Sequence, residues 1–159
     1  MKAEMNGLNN TVVKRLIERN LKISAAESCT GGLFTALITD IPGSSAILEE
    51  SIVTYSNEAK MRELDVKQEI LAAVGAVSYE TAREMAEGIR IHTKADIGVG
   101  ITGIAGPDGG TVEKPVGTVF VGISDKEKTI VKELHLDGNR ESVREQTCRI
   151  VFEMLEKEI

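Results

Sequence analysis

A chain of 159 residues, 42% apolar and 28% charged, is long enough to bury one substantial core and has the balance of an ordinary globular protein. Its net charge of −6, the lack of Trp and the presence of only two Tyr and three Phe argue against nucleic-acid binding, which relies on basic surfaces and aromatic stacking platforms. No apolar run reaches the ~18 residues of a membrane span, and the opening MKAEMNGLNN lacks a signal-peptide core, so a cytoplasmic protein with no membrane or nucleic-acid partner is expected.

Asn10 or Thr11 is placed to cap a first helix. Val12, Val13, Leu16 and Ile17 form its apolar face, Lys14, Arg15, Glu18 and Arg19 its polar one, and Asn20 ends it. Residues 23–26 read as a short buried strand. A polar knot follows, Glu27-Ser28-Cys29-Thr30 with Gly31 and Gly32, and leads into a helix over 33–38. Turn formers make 40–45 a loop. A strand is expected over 47–55 and short helices over 58–64 and 68–74, after which Gly75 breaks the pattern. Ser78 and Thr81 open a long helix to about Thr93, with Ala82, Met85, Ala86 and Ile89 as its stripe. A strand over 96–101 precedes a glycine-rich loop over 103–115. The run 116–123 is almost wholly apolar or small and reads as a central strand covered on both faces. Asp125-Lys126 turns the chain into an alternating edge strand over 129–136, antiparallel to its predecessor. Asn139 begins a last helix striped by Val143, Thr147, Val151 and Met154. This alternation predicts the α/β class: a single three-layer α/β/α domain over residues 1–159, with a mixed, mostly parallel sheet ending in an antiparallel hairpin.

Ligands of such sheets collect at loops leaving the carboxyl ends of strands. Three polar loops follow strands here: 28–32, 56–60 and 102–114. If those strands are parallel, the loops meet on one rim. In the first, Ser28 or Thr30 suits a helix N-cap. The same geometry offers backbone N–H groups to a phosphate or an oxyanion, with Ser28 or Cys29 as nucleophile, and the residues alone leave both readings open. His92 and His135 sit in surface-like contexts, which disfavours a serine–histidine pair. A lysine can serve as base where burial lowers its pKa, and Lys60 and Lys114 are the loop-borne candidates. Tyr55, beside Ser56 and Asn57, is a candidate proton relay or a packed strand-end ring. The third loop carries five glycines from Gly103 to Gly117, and successive N–H groups there suit an anion-binding nest. Cys29 and Cys148 form no CxxC pair and, with two histidines, no metal-ligand spacing, so neither metal nor cofactor is expected.

AESCTGG, IPGSS, VTYSNEAK, GAVS, TGIAGPDGG and EKPVGTV occur in this order. The series resembles the CinA C-terminal domain family from about Leu8 to the final helix, and six motifs in register make the match specific. The resemblance implies an amidase that converts nicotinamide mononucleotide and water to nicotinate mononucleotide and ammonia, in pyridine-nucleotide salvage, without a cofactor. It implies Ser28 as nucleophile, Lys60 as base and Tyr55 as an aid to the pair. Backbone groups of Cys29, Thr30, Gly31 and Gly32 would steady the oxyanion. Ser45 and Thr102 match further site positions. The loop through Gly103, Ala105, Gly106, Gly109 and Gly110, together with Arg140, would hold the phosphate. A homo-oligomer is implied as well. Many members carry an additional N-terminal domain linked to dinucleotide pyrophosphatase activity. A chain of 159 residues is too short to contain it, so that activity is not expected. Another small amide as substrate, or a non-catalytic nucleotide-binding module, are the rival readings.

Overall fold

The computed structural model describes residues 5–159. In chain order it contains α1 (Leu8–Glu18), β1 (Ile23–Glu27), α2 (Leu33–Thr39), a 3-10 turn (Ser44–Ala46), β2 (Leu48–Val53), α3 (Asn57–Leu64), α4 (Gln68–Val74), α5 (Tyr79–Thr93), β3 (Ile97–Gly103), β4 (Thr118–Ser124), β5 (Thr129–His135) and α6 (Arg140–Glu158). The strands form one sheet in the order β2-β1-β3-β4-β5. β1 pairs parallel with both β2 and β3, while β4 is antiparallel to β3 and to β5. Four strands thus run one way and β4 alone runs back, which gives the mixed sheet and terminal hairpin expected of the sequence.

Burial follows the apolar pattern. Every residue of β1 and of β4 is buried, as strands covered on both faces require. β5 closes one edge and exposes Lys132, Glu133 and His135. One face of the sheet presents Ile23, Ala25, Val99, Ile101, Val121 and Ile123 to α1, α2 and α6. On the other face Ala26 packs with Leu64, Leu71, Met85 and Ile89 from α3, α4 and α5. The three layers are complete.

The second face has a floor of glycine. A Cβ at Gly100 would lie 2.6 Å from both the Ala82 carbonyl oxygen and the Ala86 nitrogen, and one at Gly122 2.7 Å from the same Ala82 oxygen. α5 therefore rests directly on the backbone of β3 and β4. Gly100→Ala must lift that helix, because the opposing atoms are main chain and cannot rotate aside. We expect a loss of about 3 kcal/mol in stability by urea unfolding, and an unchanged midpoint would show that α5 rides loosely.

Two local expectations need correction. α1 starts at Leu8 rather than after Asn10 or Thr11, because Gly7, at φ 76°, takes the left-handed N-cap conformation. Neither Ser28 nor Thr30 caps α2. Its N-cap is Gly32, at φ 99°, with no side-chain bond of its own. Because β1, β2 and β3 are parallel, the loops that follow them gather at one rim of the sheet.

Candidate active site

The knot after β1 is organised by Glu27, the last strand residue and fully buried. Its carboxylate accepts from the N–H groups of Gly32 at 3.2 Å, Phe34 at 3.0 Å and Thr35 at 3.0 Å, and from the Thr35 hydroxyl at 2.6 Å. A buried carboxylate needs such partners, and a helix N-terminus supplies both free donors and a favourable dipole. The start of α2 is therefore already occupied by an anion from within the chain. The Gly31 N–H is also engaged, donating to the Ser28 carbonyl at 3.0 Å. The N–H groups of Cys29 and Thr30 have no acceptor among the described residues.

Ser28 continues the ladder one residue past β1, its N–H donating to the Ile101 carbonyl at 3.0 Å. Its hydroxyl meets Lys60, whose Nζ lies 3.2 Å from Ser28 Oγ and donates to the Thr54 carbonyl at 2.7 Å. The local fold explains the meeting. Ser56 caps α3 by accepting from the Ala59 N–H, so the helix starts immediately beyond β2. Lys60 and Leu64, one turn apart, then form its inward stripe. Lys60 is 1% exposed with no carboxylate bonded to it, and burial lowers its pKa below the ordinary 10.5. Cys29, next to Ser28, goes the other way. Burial, reinforced by nearby Glu27, pushes its thiol up to about 12. The site thus pairs a serine with a buried lysine whose pKa is lowered, beside a cysteine whose thiol pKa is raised.

Tyr55 and Arg140 meet at the mouth. One Arg140 nitrogen donates to the Tyr55 hydroxyl at 3.1 Å and another to the Gly106 carbonyl at 2.8 Å. Tyr55 is largely exposed and is bonded to Arg140 rather than to Lys60. The loop after β3 bears free donors as expected of a nest. The N–H groups of Ala105, Gly106, Asp108, Gly109 and Gly110 have no acceptor among the described residues. Gly106 and Gly109 adopt φ values of 83° and 91°. Gly103 ends β3, packed where a Cβ would press on Val119.

Other sequence candidates are engaged elsewhere. Lys114 donates from Nζ to the Val74 carbonyl at 2.7 Å, pinning the loop to the end of α4. The buried Thr102 hydroxyl donates to the Ala76 carbonyl at 2.8 Å and so ties β3 to the start of α5. Ser45 is not brought to this rim. It lies in the turn before β2, at the opposite end of the strand from Thr54, and is exposed. A cavity of about 430 Å³ bordered by Arg19, Arg90, Asp96 and Asp125 also belongs to that opposite end. No group of three metal-ligating side chains converges among the described residues, and no helix there is long and apolar enough to cross a membrane.

One residue at the site escapes sequence reasoning. Arg144, on α6, donates from Nε to the Cys29 carbonyl at 3.1 Å and from a terminal nitrogen to the Thr30 carbonyl at 2.9 Å. In sequence it is one charge on a charged helix, more than a hundred residues from the knot, and nothing local marks it.

Comparison with known proteins places these features in a wider group. The family model described as the CinA C-terminal domain matches residues 5–159. A protein of Acetivibrio thermocellus, named as competence-damage inducible, is 52% identical over 150 residues, covering 94% of this chain and 36% of that protein. A CinA-like protein of Endomicrobium trichonymphae is 48% identical over 150 residues, covering 94% of this chain and 35% of that protein. The chain therefore spans about a third of the length of the curated relatives it matches. Among solved structures, the competence/damage inducible protein CihA of Agrobacterium tumefaciens superposes with a TM-score of 0.93 at 39% identity, covering 96% of this chain and 94% of that one. A CinA superfamily protein of Escherichia coli does so with 0.93 at 32% identity, covering 98% and 90%.

Proposed function

The chain belongs to the CinA C-terminal domain family, and from that premise we propose that residues 5–159 act as one catalytic domain, a serine amidase hydrolysing the carboxamide of nicotinamide mononucleotide. The observation that carries the reading is the buried contact between Lys60 Nζ and Ser28 Oγ at 3.2 Å. A non-catalytic module has no use for an amine stripped of water, which costs stability, placed against a serine hydroxyl.

Neutral Lys60 takes the Ser28 proton as Oγ bonds to the carboxamide carbon. The carbonyl oxygen becomes an oxyanion, which the Thr30 N–H steadies. As the tetrahedral centre collapses, the C–N bond breaks and Lys60 returns its proton to departing ammonia. Water, deprotonated by Lys60, then attacks the Ser28 ester; the acyl C–O bond breaks, Lys60 passes its proton to Ser28 Oγ, and nicotinate mononucleotide is released. The free N–H groups of the 105–110 loop and the Arg140 guanidinium hold the phosphate. This remote binding positions the amide for attack. Tyr55, bonded to Arg140, orients that guanidinium rather than relaying the proton. The cytoplasmic setting expected of the sequence and the homo-oligomeric state implied by the family resemblance complete the proposal.

The test is release of ammonia and nicotinate mononucleotide from nicotinamide mononucleotide with EDTA present, beside free nicotinamide. We expect turnover of the mononucleotide and a kcat/KM at least ~10²-fold lower for nicotinamide, which lacks the phosphate anchor. Equal rates would point to another small amide as the true substrate. Binding of the mononucleotide without turnover would leave a nucleotide-binding module.

A further inference from the structure

We infer that Arg144 is the positioning residue of the oxyanion hole, its guanidinium fixing the Cys29–Thr30 peptide so that the Thr30 N–H faces the side where Ser28 meets Lys60. The inference rests on the serine amidase reading and adds to it a residue outside the motif series.

The turn after β1 lies between two layers. Cys29 packs into the core shared by α1, α2 and α6, the layer from which Arg144 reaches in. Lys60 comes from α3, in the opposite layer. Side chains alternate along a strand, so Ala26 and Ser28 face the layer of Lys60, while Ala25 faces the layer of Arg144. Across a trans peptide the C=O and the following N–H point in opposite directions. Arg144 holds the Cys29 carbonyl from the α6 side at 3.1 Å. The Thr30 N–H is thereby directed toward the α3 side, where the Ser28 hydroxyl lies.

Three further observations fit this role. The Gly31 and Gly32 N–H groups are already engaged, by the Ser28 carbonyl and by Glu27, so the free donors of the turn are those of Cys29 and Thr30, and the second depends on the orientation of this one peptide. The second arm of the guanidinium holds the next carbonyl, Thr30, at 2.9 Å, which prevents the peptide from rocking. The same guanidinium also lies close over Gly31, where an added Cβ would come within 3.7 Å of its terminal nitrogen. A planar fork can grip two successive carbonyls at once. A lysine, a single compact charge, cannot reproduce that grip. A cation bonded to the carbonyl also polarises the peptide and strengthens its N–H as a donor.

Arg144→Lys and Arg144→Gln test the inference, each read by turnover of nicotinamide mononucleotide and by labelling of Ser28 with a fluorophosphonate. In the labelling step the Ser28 Oγ–P bond forms, the P–F bond breaks, fluoride leaves and the hydroxyl proton passes to Lys60. The oxygen on phosphorus needs the same donor as the amide oxyanion. A misaimed donor should lower kcat and the labelling rate together by ~10–100-fold with KM changed by less than about twofold. Thermal unfolding gives the folded fraction to which both rates are referred, and the glutamine variant serves if the lysine variant folds poorly. Full activity in Arg144→Lys would reduce the role to charge alone and overturn the inference. So would unchanged kcat, or a raised KM at constant kcat. Wild-type protein that is labelled at Ser28 but does not hydrolyse the mononucleotide would defeat the substrate assignment, and the labelling rates would still decide the role of Arg144. If wild-type protein neither turns over the mononucleotide nor labels at Ser28, both fall.

Discussion

Ser28→Ala is expected to lower hydrolysis of nicotinamide mononucleotide on the order of 10⁶-fold, to the background left by binding and oxyanion stabilisation. The fold should persist. The hydroxyl has one side-chain partner, Lys60, and that amine keeps its bond to the Thr54 carbonyl at 2.7 Å when the serine oxygen is gone. The Ser28 N–H and carbonyl bonds that shape the turn do not involve the side chain. Stability should therefore change by about 1 kcal/mol at most. Cys29→Ala is the matched control. A thiol pushed up to about 12 carries almost no thiolate at neutral pH, and its side chain packs in the core rather than facing Lys60. Turnover in Cys29→Ala should stay within an order of magnitude of wild type. Loss of activity in Cys29→Ala with survival in Ser28→Ala would exchange the two assignments.

What could be read in advance followed the physics of local pattern. The buried strands β1 and β4, the stripe of α5 and the edge character of β5 are all written as periodicity, and all five strands form where that pattern puts them. What could not be read depends on distance or direction. Ser and Thr are favoured caps, which is why Ser28 and Thr30 looked suited to the start of α2. The actual partner is a carboxylate reaching forward from the strand before it, and no cap rule anticipates Glu27 bonding Gly32, Phe34 and Thr35. Ser45 enters as a site position only through the family resemblance, which does not say at which end of a strand it lies. A residue that precedes a parallel strand nevertheless lies at the far end from one that follows it. Tyr55 was legible as a residue at a strand mouth, while its partner was not, since Arg140 is 85 residues away. Arg144 was invisible for the same reason. Its work is done on two carbonyls, and carbonyls carry no sequence signature.

Lys60→Met should separate activity from stability. Without the amine, no neighbouring group is bonded to the Ser28 hydroxyl to take its proton, and turnover should fall by ~10²–10⁴-fold. In wild type, log kcat/KM should rise with pH and level off once Lys60 is neutral. That plateau begins below pH 10.5, because burial lowers the lysine's pKa from that ordinary value. The methionine variant should lose this step. Stability has the same origin. Between the lowered folded pKa and 10.5 the unfolded chain holds one more proton than the native one, so wild-type stability rises with pH through that window. Below the folded pKa the penalty of burying the ammonium is present in full. Methionine has nearly the same length and no charge. It removes the penalty and leaves only the Thr54 carbonyl short of a donor, at about 1–3 kcal/mol. The variant should therefore lose the alkaline rise in stability, and its deficit against wild type should narrow as pH falls. Urea titrations at several pH values measure both slopes. A variant as active as wild type would move the base elsewhere. Parallel stability profiles would mean that Lys60 stays protonated in the folded protein, and the amine would then serve Ser28 only as a hydrogen-bond donor.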